Sequence, residues 1–313
     1  MPSLSVLLVH WNTLPDLLVC LQSLRDYPYT GGAQEIVLVD NASVDGAANT
    51  VRERFPEARL IANPVNELYA RGVNQCADAA TGDLLLLLNP DAAVGPRTLD
   101  TLAAFLESRP DAAAVAPKLV HENNETQASV RGFPSPLALF GAFSGLARLL
   151  PRSRWAAWRL PAFDYNAPGE APQPMASCFL VRRAVWDAIG GMDERFPLYF
   201  NDADFCLRAY HAGYRIYYTP DAVAAHGYGG TTKTVRKSAV WESRRAMLRF
   251  LSKHYAQTTP TFLLWLLTLL ITLDAWARTG RWGQTLDKWG GETTPDGLRG
   301  ELERERRPVS LPE

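Results

Sequence analysis

Residues Leu84 to Leu88 are five consecutive leucines, closed by Asn89-Pro90-Asp91. Such a run lacks polar alternation, so it suits a strand covered on both faces, as in a parallel sheet flanked by helices. The rest of the first half repeats the theme. Leu4–Val9, Glu35–Val39 and Arg59–Ala62 read as further strands. Leu14–Leu24, Ala47–Phe55 and Leu68–Ala80 read as helices between them, with Thr13 placed to cap the first. Alternating β and α elements predict right-handed crossovers with helices on both faces of the sheet. Helix Arg97–Ser108 and strand Ala112–Ala116 extend the pattern.

The texture changes after Phe133. Pro134 to Pro174 is rich in proline, arginine and aromatic residues and reads as a long loop. Beyond it come strand Cys178–Val181, helix Ala184–Ile189 with a Gly190-Gly191 stop, helix Ala203–Ala212, and short strands Tyr214–Tyr218 and Val223–Ala225. A basic helix Ser238–His254, an apolar helix Thr261–Ala277 and a charged tail from Gly290 complete the chain.

Composition excludes several classes. Apolar residues make up 47% and charged residues 21% of 313 residues, which rules out a disordered or fibrous chain. Thirty-two Lys and Arg against 33 Asp and Glu leave no excess charge for coating nucleic acid, so no nucleic-acid partner is expected. The four cysteines are scattered without a C-x-x-C pair, which argues against zinc, a redox motif or a disulfide framework. Leu4–Val9 follows Met-Pro-Ser directly, and the expectation is a cytoplasmic protein.

Open parallel sheets bind ligands at the carboxyl ends of their strands. His10-Trp11-Asn12, Asp40-Asn41 and Asn89-Pro90-Asp91 stand there. None is a glycine-rich phosphate cradle, so a nucleotide bound at this sheet needs another source of positive charge. A divalent metal on a carboxylate is the natural one, since Mg²⁺ takes one or two protein carboxylates plus phosphate oxygens. Each group also has a plainer use: Asn-Pro-Asp as a turn, Asp40 to Gly46 as a helix-capping loop, Trp11 as a core anchor. A second constellation runs from Tyr199 to Arg208. Asp202 serves there either as an N-cap or as a base at the rim of an apolar surface, and Asp204 and Arg208 are spaced for an i, i+4 ion pair. His226 ends a strand before Gly227-Tyr228-Gly229-Gly230.

The order of these stretches resembles the inverting family-two glycosyltransferases of the GT-A fold, in the branch of rhamnosyl- and galactofuranosyltransferases. The likeness rests on Val6–Asn12, Val39–Gly46, Asn66 to Asn74, Gly82–Asp91, Phe179–Arg183, Gly190–Phe196, Asn201–Arg208, Gly213-Tyr214 and Pro220 to His226. It covers roughly residues 4 to 230. The resemblance implies an α/β GT-A fold with a mostly parallel central sheet, helices on both faces and a C-terminal helical extension. It implies that Asp40 reads a pyrimidine base, with His10, Trp11 and Asn12 as the pocket wall. Asn89 and Asp91 stand in a variant D-x-D motif, with Asp91 on a divalent metal (Mg or Mn) and Asn89 toward the ribose or metal shell. His226 is implied as a further metal ligand, Asp202 as general base, and Arg71 and Asn74 as facing the nucleotide or donor sugar. Three positions depart from the pattern: Asn201 replaces an acid before the base, Leu68 replaces a glycine, and Ser177 replaces a glycine before Cys178-Phe179. Losing the acid at 201 removes one like charge that could raise the pKa of Asp202.

The implied activity is metal-dependent, inverting transfer of a rhamnose-like sugar. The donor is a dTDP- or UDP-sugar, and the acceptor is a hydroxyl of a glycan or polyprenyl-linked molecule in cell-surface polysaccharide synthesis. A non-catalytic sugar- or nucleotide-binding scaffold of a glycan assembly complex is the rival. A sugar-nucleotide pyrophosphorylase is disfavoured because His10-Trp11-Asn12-Thr13 is not its glycine-rich signature. The expected organisation is a catalytic domain over residues 1–230, divided into a nucleotide half (1–117) and an acceptor half (118–230) that holds the 134–174 loop. A helical extension (231–289) and a charged tail (290–313) follow it. Between Thr231 and His254 lie Lys233, Arg236, Lys237, Arg244, Arg245, Arg249 and Lys253 against Glu242 alone. The apolar run Phe262 to Leu273 spans ~18 Å, short of a ~30 Å hydrocarbon core, which favours an interfacial helix on the inner face of a membrane over a spanning one. A core helix and a dimer interface are the alternatives.

Overall fold

The computed structural model describes residues 2–227 and 236–280. The 290–313 tail, Tyr228-Gly229-Gly230, Lys233 and the side chains of Arg236 and Lys237 lie outside the described residues. The order is β1 (Leu4–His10), α1 (Leu14–Asp26), β2 (Gln34–Asn41), α2 (Ala47–Arg54), β3 (Ala58–Asn63), α3 (Leu68–Ala79), β4 (Leu84–Leu88), β5 (Ala92–Val94), α4 (Thr98–Glu107) and β6 (Ala112–Val120). Then come β7 (Val130–Arg131), α5 (Pro136–Ser144), α6 (Leu146–Leu149), a 3₁₀ turn at Arg154–Ala156, β8 (Gly169–Glu170), β9 (Gln173–Pro174), β10 (Cys178–Arg182), α7 (Arg183–Ile189), α8 (Asn201–His211), β11 (Arg215–His226), α9 (Arg236–Tyr255) and α10 (Thr261–Thr279).

The main sheet runs β3-β2-β1-β4-β10-β6-β11-β5, with β8 also on β11. From β3 to β4 every pairing is parallel. β10 enters antiparallel between β4 and β6, while β6 and β11 pair in parallel. Every leucine of β4 is buried, as the unbroken apolar run requires, and each contributes about 1.5–3 kcal/mol relative to exposure. Alternate residues feed the two faces: Leu84, Leu86 and Leu88 join the cluster under α1 and α4, Leu85 and Leu87 the one under α3 and α8. Gly72 lets α3 lie close on the sheet, because a Cβ there would stand 2.7 Å from Val9 Cγ1.

Two expectations change. Thr13 makes no side-chain cap; its hydroxyl lies 3.2 Å from His10 Nδ1, and Asp45 accepts from Leu14 N instead. The 134–174 segment is not one loop, since α5, α6, the 3₁₀ turn, β8 and β9 lie within it. The segment packs with α9 and α10 around Leu139, Met247, Leu251, Leu267 and Ile271 to form a helical lobe.

Candidate active site

β1 and β2 end side by side, with His10 in register with Asp40. The loop after β2 is fastened to the end of β1: Asn12 Oδ1 accepts from Val44 N at 2.8 Å, and Ser43 Oγ accepts from Asn12 N at 3.0 Å. Asp45 caps two helices at once, accepting from Leu14 N at 2.9 Å and Ala47 N at 3.1 Å. Burial pushes Asp45 up, but the neighbouring His10 imidazole and those N–H groups outweigh it and hold the carboxyl below its ordinary value. His10 is wholly buried beneath this loop, its Nε2 3.3 Å from Asp45 Oδ2 without an aligned hydrogen bond. Asp40 is buried and accepts from Ser43 N at 3.3 Å, while Trp11 is partly exposed.

At the next strand end, Asp91 and His226 come together. His226 Nε2 stands 3.5 Å from Asp91 Oδ1, and Gly227 N donates to Asp91 O. Sequence reasoning missed what orients the ring. Gln127 Oε1 lies 3.0 Å from His226 Nδ1, while Gln127 Nε2 donates to His226 O at 2.6 Å and lies 3.0 Å from His121 Nδ1. With its amide nitrogen committed that way, Gln127 presents an acceptor to Nδ1. Nδ1 is therefore placed to donate, and Nε2 is the ring nitrogen left to face Asp91. That donor set, one imidazole nitrogen and one carboxylate, fits a divalent cation that completes its shell with diphosphate oxygens. Among the described residues no three His, Cys, Asp or Glu side chains gather as a closed metal cage, so such a site is open by construction. Asn89 Nδ2 donates a hydrogen bond to Ser177 Oγ at 3.2 Å, which gives the serine in the glycine's place a structural task.

Asp202 lies in the first turn of α8, partly exposed. Burial of its carboxylate raises its pKa, more than hydrogen bonds from Ala203 N, the Gln173 side chain and Ala176 N lower it. Upward displacement therefore needs no acidic neighbour at 201. Asn201 instead donates to Phe196 O at 3.3 Å and accepts from Asp202 N at 2.8 Å, a pairing that an ionised acid could not complete. Gln173 is a second residue missed from sequence, as is Tyr69, a part-buried phenol whose pKa is raised first by burial and then by the charges of Asp202 and Asp91. A base candidate and a metal-ligand candidate thus both lie within electrostatic reach of one tyrosine.

Beneath Asp202, on the same helix, Asp204 is fully buried and gathers three basic side chains: Arg208 Nε at 2.7 Å, Lys253 Nζ at 2.5 Å and His254 Nε2 at 2.7 Å. Lys253 continues to Asp193, and Arg208 donates to Ile189 O and Gly191 O. The expected i, i+4 pair is present, inside a larger hub that ties α8 to α9. Burial pushes Asp204 up, but His254, Lys253 and Arg208 overcome it and hold the carboxyl below its ordinary value. For a depressed carboxylate, the stabilisation is complete above the unfolded pKa of ~3.9 and is lost as pH falls through the folded value. Urea midpoints of the wild type are expected to drop below about pH 4, and Asp204→Asn to cost about 3–5 kcal/mol at neutral pH while flattening that acid limb. An unchanged acid limb in the variant would refute the hub.

Of the remaining candidates, Arg71 pairs with Glu67 at 3.4 Å on the exposed side of α3. Asn74 is committed to the turn after α7, donating to Met192 O and accepting from Met192 N. Four of the seven non-glycine residues with positive φ among the described residues, Asn12, Ala42, Leu68 and Phe200, border these strand ends and α8. Such conformations cost about 1–3 kcal/mol each and concentrate where a site demands them. Leu68, at φ 67°, keeps the conformation that a glycine would adopt freely.

Comparison with known proteins agrees with this architecture. The sequence profile of Glycosyl transferase family 2 matches residues 5–190. An N-acetylglucosaminyl-diphospho-decaprenol L-rhamnosyltransferase of Mycobacterium tuberculosis is 31% identical over 205 residues, which is 61% of this chain and 66% of that protein, just under two thirds of its length. Among solved structures, a mannosyltransferase from Pyrobaculum calidifontis in complex with GDP-Man and Mn²⁺ superposes with a TM-score of 0.57 at 17% identity, covering 92% of this chain and 78% of that one. GalNAc-T7 with UDP, GalNAc and Mn²⁺ gives 0.62 at 13% identity, covering 97% and 55%.

Proposed function

Because the chain belongs to glycosyl transferase family 2, we propose that it transfers a sugar, rhamnose-like in class, from a dTDP- or UDP-sugar to a hydroxyl of a glycan or polyprenyl-linked acceptor, with inversion. The observation that carries this is the grouping at the strand ends: Asp91 and His226 meet there, and a partly enclosed carboxylate, Asp202, lies like Asp91 within electrostatic reach of Tyr69. The division of labour follows the sheet, with residues 1–117 for the nucleotide and 118–230 for the acceptor.

Asp40 takes the base, and the loop that Asn12, Ser43 and Asp45 hold closed gives the pocket its fixed wall, with His10 as its brace and Trp11 beside it. Arg71 and Asn74 line the donor side. Asp91 and His226 would hold a divalent cation, Mg²⁺ or Mn²⁺, with Asn89 as a further candidate toward the ribose or the metal shell; bound there, it would supply Lewis-acid compensation for charge on a departing diphosphate. Asp202 accepts the proton of the acceptor hydroxyl as that oxygen attacks the anomeric carbon from the side opposite the leaving group, and the single displacement inverts the centre. Its raised pKa, caused by burial, strengthens it as a base. The relative named as a rhamnosyltransferase of a decaprenol-linked sugar supports a lipid-linked acceptor; work at the cytoplasmic face of a membrane, in cell-surface polysaccharide synthesis, belongs to the same proposal.

The test is thermal shift and transfer across a panel of nucleotide sugars with Mn²⁺ or Mg²⁺. A dTDP- or UDP-sugar at a hundredfold excess over Kd is expected to stabilise by about 2.7 kcal/mol and to donate its sugar. Stabilisation by purine nucleotide sugars alone would overturn the assignment of the base. Binding without any transfer would favour the non-catalytic scaffold.

A further inference from the structure

We infer that the helical lobe is a docking surface for an anionic lipid bilayer, built from two limbs: the outer face of α10 and the arginine-rich turn between α6 and Arg159. This deepens the membrane location proposed above and names the surface that makes the contact. Of the eleven large hydrophobic side chains exposed among the described residues, eight belong to these limbs. Six lie on α10, at Phe262, Trp265, Leu266, Leu269, Leu273 and Trp276, spaced to share one face of the helix. Its opposite face, through Leu267, Ile271, Ala275 and Thr279, is buried. The other two are Leu149 and Leu150, with Leu149 76% exposed at the end of α6.

The second limb says what occupies that face. From Gly132 to Phe163 there is no acidic residue, yet Arg148, Arg152, Arg154 and Arg159 all fall there, and all four are exposed. Arginine beside exposed leucine and tryptophan is what an anionic headgroup layer over hydrocarbon selects. A second copy of this chain docked two-fold through the same surface would bring the arginine limbs near each other without acids to meet them. A spanning arrangement suits the lobe less well, although α10, at 19 residues or about 28 Å, is by length and composition able to cross a membrane and is longer than the apolar run within it. It would strip the buried face from the lobe and carry Asp274, held by Arg244 at 2.6 Å and Arg278 at 2.9 Å, into hydrocarbon.

The surface is coupled to the chemistry by the lobe's own wiring. α10 packs on α5 and α9, and α9 carries the Lys253 and His254 that hold Asp204 of α8, the helix of Asp202. Docking at this face therefore fixes the bilayer relative to the proposed base.

The experiment is co-sedimentation of the full chain with vesicles of phosphatidylcholine alone or mixed with phosphatidylglycerol, without donor or acceptor, so that it succeeds or fails independently of sugar transfer. The wild type is expected to bind the mixed vesicles and to weaken with salt. Arg148→Glu with Arg152→Glu is expected to lose at least about fivefold in partitioning for each arginine removed, on anionic vesicles only. Phe262→Ser with Trp265→Ser and Leu269→Ser is expected to lose binding to both, with an unchanged melting temperature because all three side chains face outward. Wild-type protein left in the supernatant, or equal binding by all variants, would overturn the assignment. So would a dimer that the α10 variant converts to monomer in the absence of any vesicle binding.

Discussion

Asp202→Asn is expected to lower transfer by ~10²–10⁴-fold, the range that a positioned general base contributes, while leaving nucleotide binding and the fold intact. The stability side of the same substitution has a definite sign. Burial raises the Asp202 pKa, so the folded state binds protons more readily than the unfolded chain does between the ordinary and the raised value. Stability conferred by the protonated carboxyl is therefore lost as pH rises through that window, and above it the ionised group is a net cost to folding. A neutral amide of the same shape removes that cost. The variant should melt no lower than the wild type at neutral pH while being nearly inactive, the pattern of a side chain kept for chemistry rather than for packing. The wild-type kcat/KM should climb with pH through a midpoint above the usual carboxylate range, and this limb should vanish in the variant. Full transfer by Asp202→Asn would remove the residue from the mechanism and return the scaffold alternative to the front.

Legibility of the fold tracked how local the determining physics is. Leu84–Leu88 was readable to the residue because a run with no polar alternation has few places to go. The antiparallel insertion of β10 between β4 and β6 was not, since the sequence of Cys178–Arg182 encodes burial but neither partner nor direction. Thr219-Pro220-Asp221 looks like a turn between two strands; the structure keeps one strand, β11, and absorbs the triplet as a register shift between Thr219 and Val223. α5 escaped because it is apolar nearly all round and offers no period to detect.

The site divides the same way. Asp91 and His226 could be nominated separately, and their 3.5 Å approach depends on β5 and β11 pairing at the sheet edge. Gln127 carries no motif and acquires meaning only from the ring that it orients. Asp204 and Arg208 were visible as an i, i+4 pair, but Lys253 and His254 reach them from α9, which no spacing rule could supply.

Stripping divalent metal with EDTA is expected to abolish transfer, with recovery on adding Mn²⁺ or Mg²⁺. The expectation follows from what the strand ends lack as much as from what they hold: after β1 the chain runs His10-Trp11-Asn12-Thr13, with no glycine-rich run of amides to receive a diphosphate. On the proposed site, compensation of several kcal/mol would come through Asp91 and His226, so Asp91→Ala and His226→Ala should each lower transfer by more than ~10²-fold. Nucleotide-dependent Mn²⁺ binding, read by electron paramagnetic resonance, should fall in parallel and needs no turnover to be seen. Gln127 refines the test. Gln127→Leu leaves both ligands in place and removes the acceptor at Nδ1 together with the amide donor to His226 O, so Mn²⁺ affinity should drop about 10–100-fold, the usual effect of losing the partner that orients a ligating histidine. Full turnover by metal-free enzyme would mean that some other cation meets the departing charge, and Arg71, exposed on α3 with a 3.4 Å contact to Glu67, would be the side chain to examine next.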